Sequence, residues 1–169
     1  KTHDQSGELQ TIGTYSFDDT LTHTWTAHPK IDPYTGEMMT FCYNIDKQPF
    51  LNYTVVNKDG HIIRTLDLLL PKPIMMHDFS ITPNYTIFMD LPLQFTPENM
   101  AKKMNGGAFA FDSTAPARFG ILPRHATKAE EMIWFDVRCC SVFHVVNSYE
   151  TLVFQSSTGI MEKVVVVQG

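Results

Sequence analysis

Apolar positions along this chain alternate with polar ones far more often than they recur every third or fourth residue, which is the period of strands. Strands are expected at Thr14–Phe17, Met38–Ile45 and Phe50–Asn57. Asn57-Lys58-Asp59-Gly60 then reads as a hairpin turn, because Asn and Gly tolerate the positive φ such turns need, and His61–Leu70 is the second arm. Pro71-Lys72-Pro73 ends that arm. Ile74–Thr82 and Tyr85–Leu91 form the next expected hairpin, across Pro83-Asn84. Further strands are expected at Ala108–Phe111, Arg118–Leu122, Met132–Val137, Ser141–Val146, Leu152–Gln155 and Lys163–Val167. A helix is expected at Pro97–Met104, where Thr96 can cap it, proline suits its first position and Asn105-Gly106-Gly107 ends it. The chain is expected to be all-β with this one short helix.

Short strands with turns every 8–12 residues suit a sandwich, a barrel or a propeller. Histidine placement separates these. His77 sits inside the expected strand Ile74–Thr82, and His28 in TWTAHPKIDP and His144 in CSVFHVVNSYE share its setting. His28 and His77 are 49 residues apart and His77 and His144 are 67 apart, close to one propeller blade of about 40–50 residues each, the second enlarged by the expected helix. One histidine per blade, carried on the strand nearest the axis, brings several imidazoles to one place. A sandwich offers no such convergence.

Composition narrows the function classes. The chain has 169 residues, 43% of them apolar and 18% charged, which is enough for one domain with a real core. A net charge of −5 with no basic cluster argues against a nucleic acid partner. Apolar runs such as Val164–Val167 are far short of a transmembrane helix, and the first residues carry no apolar core of a secretory signal. Cys42, Cys139 and Cys140 form no C-x-x-C pattern and read as thiols of a reducing compartment. No G-x-S-x-G elbow or phosphate-binding glycine loop is present. Cys140 and His144 on one strand would stand roughly 13 Å apart, too far for a nucleophile and its base. Asp78, beside His77, reads as an anchor that holds its strand by hydrogen bonds. Imidazole donors suit borderline metals such as Fe(II), Zn(II) and Cu(II), although any one of the three histidines taken alone reads first as a core or rim residue satisfied by backbone hydrogen bonds.

Particular segments carry a resemblance. MMHDFSIT followed by NY and IFMDLPL, TAHPKIDPYTGEM, ARFGILPRHA, EMIWFDV and FHVVNSYE closely resemble the carotenoid cleavage dioxygenases, the plant enzymes that make small apocarotenoids and their epoxycarotenoid-cleaving relatives in particular. The resemblance runs from about Thr20 to Glu150. It implies part of a seven-bladed β-propeller, about two to three blades, with Fe(II) on the axis held by four histidines, three of them braced by glutamates. His28, His77 and His144 match the first three ligands by motif. The fourth histidine and the bracing glutamates have no match in this chain, and Glu150 follows His144 too closely to be one of them.

The activity implied is O₂-dependent cleavage of one conjugated double bond of a carotenoid or apocarotenoid into two carbonyl products, at the 9,10 (9′,10′) position. Phe143 matches a substrate-binding position beside the tunnel. Leu66–Ile74 stands where relatives carry an apolar patch at the tunnel mouth, which implies peripheral membrane contact. Relatives point to the cytoplasm, with the plastid as the alternative. The whole of residues 1–169 is expected to be partial propeller domain, with Thr151–Gly169 departing from the family pattern, as in a partial gene product or an altered reading of the gene. The competing expectation is a truncated, inactive propeller piece that binds an apolar ligand or a partner. Such a piece would expose strand edges and apolar surface.

Overall fold

The computed structural model describes residues 2–3, 7–96, 108–158 and 160–169. A two-stranded ribbon, β1 (Thr2–His3) with β2 (Leu9–Gln10), comes first. Next, β3 (Lys30–Ile31), β4 (Met38–Tyr43), β5 (Leu51–Val56) and β6 (Ile62–Leu68) form a four-stranded sheet in chain order. A second four-stranded sheet has the order β7 (Ser80–Ile81), β8 (Tyr85–Asp90), β11 (Ala117–Pro123) and β12 (Ile133–Val137). Between β8 and β11 the chain makes a small side hairpin, β9 (Leu93–Phe95) with β10 (Phe109–Phe111). A long hairpin, β13 (Asn147–Gln155) with β14 (Ile160–Gln168), closes the described chain. Two antiparallel four-stranded meanders followed by a hairpin are two propeller blades and the first strands of a third.

Stacking of blades explains the burial pattern. Every residue of β5 is buried, as expected for a strand covered on both faces, while β6 alternates because one of its faces meets solvent. The main core lies between the first two blades: Met39, Phe41, Tyr53 and Val55 of the first pack with Met76, Phe79, Phe88 and Leu122 of the second. Phe79 meets Phe41 edge-on at 5.3 Å between ring centroids and stacks on Phe88 at 6.0 Å. Tyr53 lies fully buried with its hydroxyl 2.9 Å from that of Thr86, which satisfies both groups. A smaller cluster of Met89, Leu91 and Ala117, with Phe119, Val142 and Val145 against it, joins the second blade to the third. Gly120 is required by close approach, since a Cβ there would lie 2.4 Å from Met132 Sδ and 2.8 Å from the Trp134 ring.

The strands of alternating sequence form close to where they are expected, and the Asn57–Gly60 turn forms with Gly60 at φ +86°. Three expected strands do not form. Residues 14–17 run into a turn, with Phe17, Asp18 and Asp19 at φ of +52 to +60°. In 74–82 only Ser80–Ile81 pairs as a strand, apart from an isolated bridge between Ile74 and Gln94. Residues 141–146 are likewise irregular, and strand structure starts at Asn147. The last two differences share a cause: the amides of Phe79 and Val145 are taken by the Asp78 carboxylate, not by a neighbouring strand. The helix expected at 97–104 lies outside the described residues.

The ends of the blades are joined by buried charge. Arg124 is 3% exposed and pairs with Asp32 at 2.5 Å and Glu37 at 3.3 Å, both on the turn between β3 and β4. It also donates to the carbonyls of Thr82 and Pro83 on the β7–β8 turn. From that turn, the Asn84 backbone N–H and side-chain amide both donate to the Glu150 carboxylate at 2.8 Å, reaching the third blade. Burial raises the Glu150 carboxyl, but the Lys163 ammonium, the Thr82 hydroxyl and the Asn84 donors outweigh it and bring it from 4.5 to about 2. A folded pKa below the unfolded one means stability that is present at neutral pH and is lost as pH falls from about 4.3 toward 2. Acidification from pH 7 to 3 is expected to remove ~1–2 kcal/mol through this group, discounted because Lys163 is half-exposed. Denaturant unfolding at both pH values checks this, and Glu150→Gln should shrink the difference by that amount.

Candidate metal centre

Each of the three expected histidines lies on irregular chain just ahead of a blade's first strand, not inside a strand. His28 precedes β3, His77 precedes β7 and His144 precedes β13. The expectation of a histidine within a strand is thus corrected by two or three residues, with the one-per-blade placement intact. The structure brings all three rings together. His28 Nε2 and His77 Nε2 are 2.9 Å apart, and the ring centroids of the trio are separated by 4.7, 4.9 and 5.0 Å. One nitrogen from each lies within 4.8 Å of the others. His23, His61 and His125 are exposed and stand outside this cluster.

The surroundings act on His77 and hold the rings in place. Burial first, then the neighbouring His28 and His144 rings, lower the pKa of His77, while Asp78 opposes. A neutral ring keeps a lone pair to offer to a metal. His28 is tied back locally by its amide, which donates to the Thr26 hydroxyl at 3.1 Å. Phe143 stacks on the His77 ring at 4.0 Å between centroids and 21° between planes, and keeps 48% of its own surface open. It therefore forms a flat apolar wall at the cluster.

The donor set fits a borderline metal. Two nitrogen ligands at ~2.1 Å and at right angles on one ion lie ~3.0 Å apart, which matches the 2.9 Å between His28 and His77. Among the described residues no carboxylate or thiolate belongs to the cluster, so Fe(II), Zn(II) or Cu(II) fits better than Mg or Ca. A cleft of about 180 Å³ reaches His77 between Trp25, Thr26, Cys42 and Met76. A larger apolar cleft of about 550 Å³, between Phe119, Ile121, Ile133 and Phe135 of the second blade and Val164, Val165 and Val167, touches none of the histidines.

Asp78 anchors its segment by hydrogen bonds, as its sequence setting suggested, but that segment is not the strand expected there. It is 2% exposed; Oδ1 accepts the Phe79 amide at 2.8 Å and meets Lys30 Nζ at 2.6 Å, and Oδ2 accepts the Val145 amide at 2.9 Å. Burial raises this carboxyl, yet the Lys30 ammonium and the two amides hold it below the usual range. Lys30 and Trp25 were not singled out in the sequence, and neither carries a motif that would have done so. In Leu66–Ile74 the structure buries Leu68, Leu70 and Ile74 and leaves Leu69 70% exposed.

Histidines gathered at the starts of successive propeller blades define a class: β-propeller proteins with an imidazole-lined centre. The family model described as RPE65, retinal pigment epithelial membrane protein, matches residues 4–168, and the chain belongs to this family of carotenoid oxygenases. It is 49% identical over 147 residues to carotenoid 9,10(9′,10′)-cleavage dioxygenase 1 of Arabidopsis thaliana, covering 86% of this chain and 27% of that protein. The chain thus spans about a quarter of its relative's length. Among solved structures, Pseudomonas brassicacearum lignostilbene dioxygenase matches with a TM-score of 0.68 at 30% identity, over 84% of this chain and 28% of that one. Cobalt-substituted Synechocystis apocarotenoid oxygenase matches with a TM-score of 0.70 at 26% identity, over 87% and 32%.

Proposed function

We propose that this chain supplies three imidazole ligands, His28, His77 and His144, to an Fe(II) centre of a dioxygenase that cleaves a carotenoid or apocarotenoid at the 9,10 (9′,10′) double bond. The observation that carries this reading is the 2.9 Å approach of two Nε2 atoms with the third ring alongside. The names of the relatives supply the substrate class. Bound iron would supply the site for O₂ activation. Overall, the C=C and O–O bonds break and two C=O bonds form, so both oxygen atoms enter the products and no external reductant is required.

The chain's own residues bind and orient. The three rings each turn a nitrogen toward one point, and Phe143 offers its exposed face to a flat polyene. The exposed Leu69 gives at most a weak, reversible contact with a membrane surface, where such substrates dissolve. A second reading, binding of an apolar ligand without cleavage, is favoured by the open side of the cluster, where His144 is exposed.

The test is incubation of the Fe(II)-loaded protein with an all-trans carotenoid under ¹⁸O₂, with products read by mass spectrometry. Two labelled carbonyl products, absent with His77→Ala, are expected. Binding of the polyene without cleavage would establish the second reading instead.

A further inference from the structure

We propose that Asp78 is a positioning residue whose carboxylate fixes the three histidine-bearing segments relative to one another, and so sets the spacing of the imidazoles. The inference rests on the metal reading above. Its basis is that Asp78 touches all three segments next to their histidines. Lys30 is two residues after His28, Asp78 itself follows His77, and Val145 follows His144. Other contacts between the blades include the polar ones of Arg124 and Glu150, whose partners Asp32, Glu37 and Asn84 all lie more than two residues from His28, His77 and His144. They also include apolar packing, an attraction that is non-directional and tolerates sliding. A carboxylate 2% exposed, with an ammonium at 2.6 Å and amides at 2.8 and 2.9 Å, does not tolerate it, because moving any partner leaves buried charge unpaired.

The irregular backbone around two of the rings follows from the same contacts. With the Phe79 and Val145 amides turned toward Asp78, residues 76–79 and 141–145 stay outside the strand ladder, and His77 and His144 are released from the alternation of a sheet. Substitution by asparagine is diagnostic. Its side chain has one acceptor oxygen and one N–H₂ donor, so a donor must face either the Val145 amide or the pair formed by Lys30 and Phe79. Lys30→Met removes the ammonium and leaves both backbone bonds possible.

The experiment compares wild type, Asp78→Asn, Lys30→Met and a remote control, Tyr53→Phe, which removes the buried hydroxyl contact to Thr86. Three readouts are taken: the Co(II) visible absorption band with its dissociation constant, thermal unfolding, and the ring ¹⁵N resonances of the metal-free protein. Asp78→Asn is expected to weaken Co(II) binding ~10-fold or more and to change the band, with Lys30→Met moving in the same direction. Tyr53→Phe should lower the unfolding midpoint while keeping the wild-type band and affinity. If Asp78→Asn and Lys30→Met both retain wild-type band and affinity, the inference is overturned. Failure of the wild type to bind Co(II) would count against the metal reading alone. Asp78 would then be judged on the metal-free rings: altered His28 and His144 resonances support positioning, and unchanged ones overturn it.

Discussion

Replacing Arg124 with methionine will lower the free energy of unfolding by ~3–5 kcal/mol, the cost of leaving buried charge without its partner. Arg124 is 3% exposed, and its guanidinium is the counter-charge for Asp32, itself 6% exposed, and for Glu37. Burial raises the Asp32 carboxyl, and the Tyr34 amide with Arg124 more than offsets this; without the guanidinium, that balance fails. The two carbonyls of the β7–β8 turn also lose their donor. Urea unfolding at pH 7 reads the loss. Asp32→Asn added to Arg124→Met should recover part of it, since the stranded charge is then gone. A loss under about 1 kcal/mol for the single variant would show that the pair carries little of the contact between blades.

Replacing His77 with alanine will reduce Fe(II) or Co(II) affinity by at least ~100-fold, measured by anaerobic titration. His77 is central to the cluster: its Nε2 lies 2.9 Å from that of His28, and its ring meets both His144 and Phe143. His23→Ala, at an exposed histidine outside the cluster, should leave metal uptake unchanged. Equal losses in the two variants would mean that the metal binds histidines indiscriminately and that convergence of the three rings has no consequence.

Much of this architecture could be read in advance because alternation survives in the strands that matter. MMTFCY, LNYTVV and YTIFMD are strands in the structure as in the pattern, and the Asn57–Gly60 turn follows from residues that accept positive φ. The trio of histidines was legible as chemistry only when spacing and resemblance were combined. No local motif links residues 49 and 67 positions apart, and they meet through the stacking of blades. Segments 74–79 and 141–146 misled because their apolar, β-branched composition suits a strand, while Asp78 diverts their amides.

Contacts of long sequence separation, such as Lys30 with Asp78 or Asn84 with Glu150, leave no trace in periodicity. The chain's end shows the same limit. Residues 147–155 and 160–168 pair over nine residues each, longer than expected. Leu152, Val153, Phe154 and Met161 are left exposed, as anticipated for blades without all their neighbours.

X-ray absorption at the iron edge of the anaerobically Fe(II)-loaded chain tests the three-imidazole centre most directly. The expected result is about one iron per chain, in a nitrogen and oxygen shell with outer scattering from three imidazole rings, weakened in His77→Ala. A sulfur neighbour from a cysteine, or a shell without imidazole scattering, would contradict it.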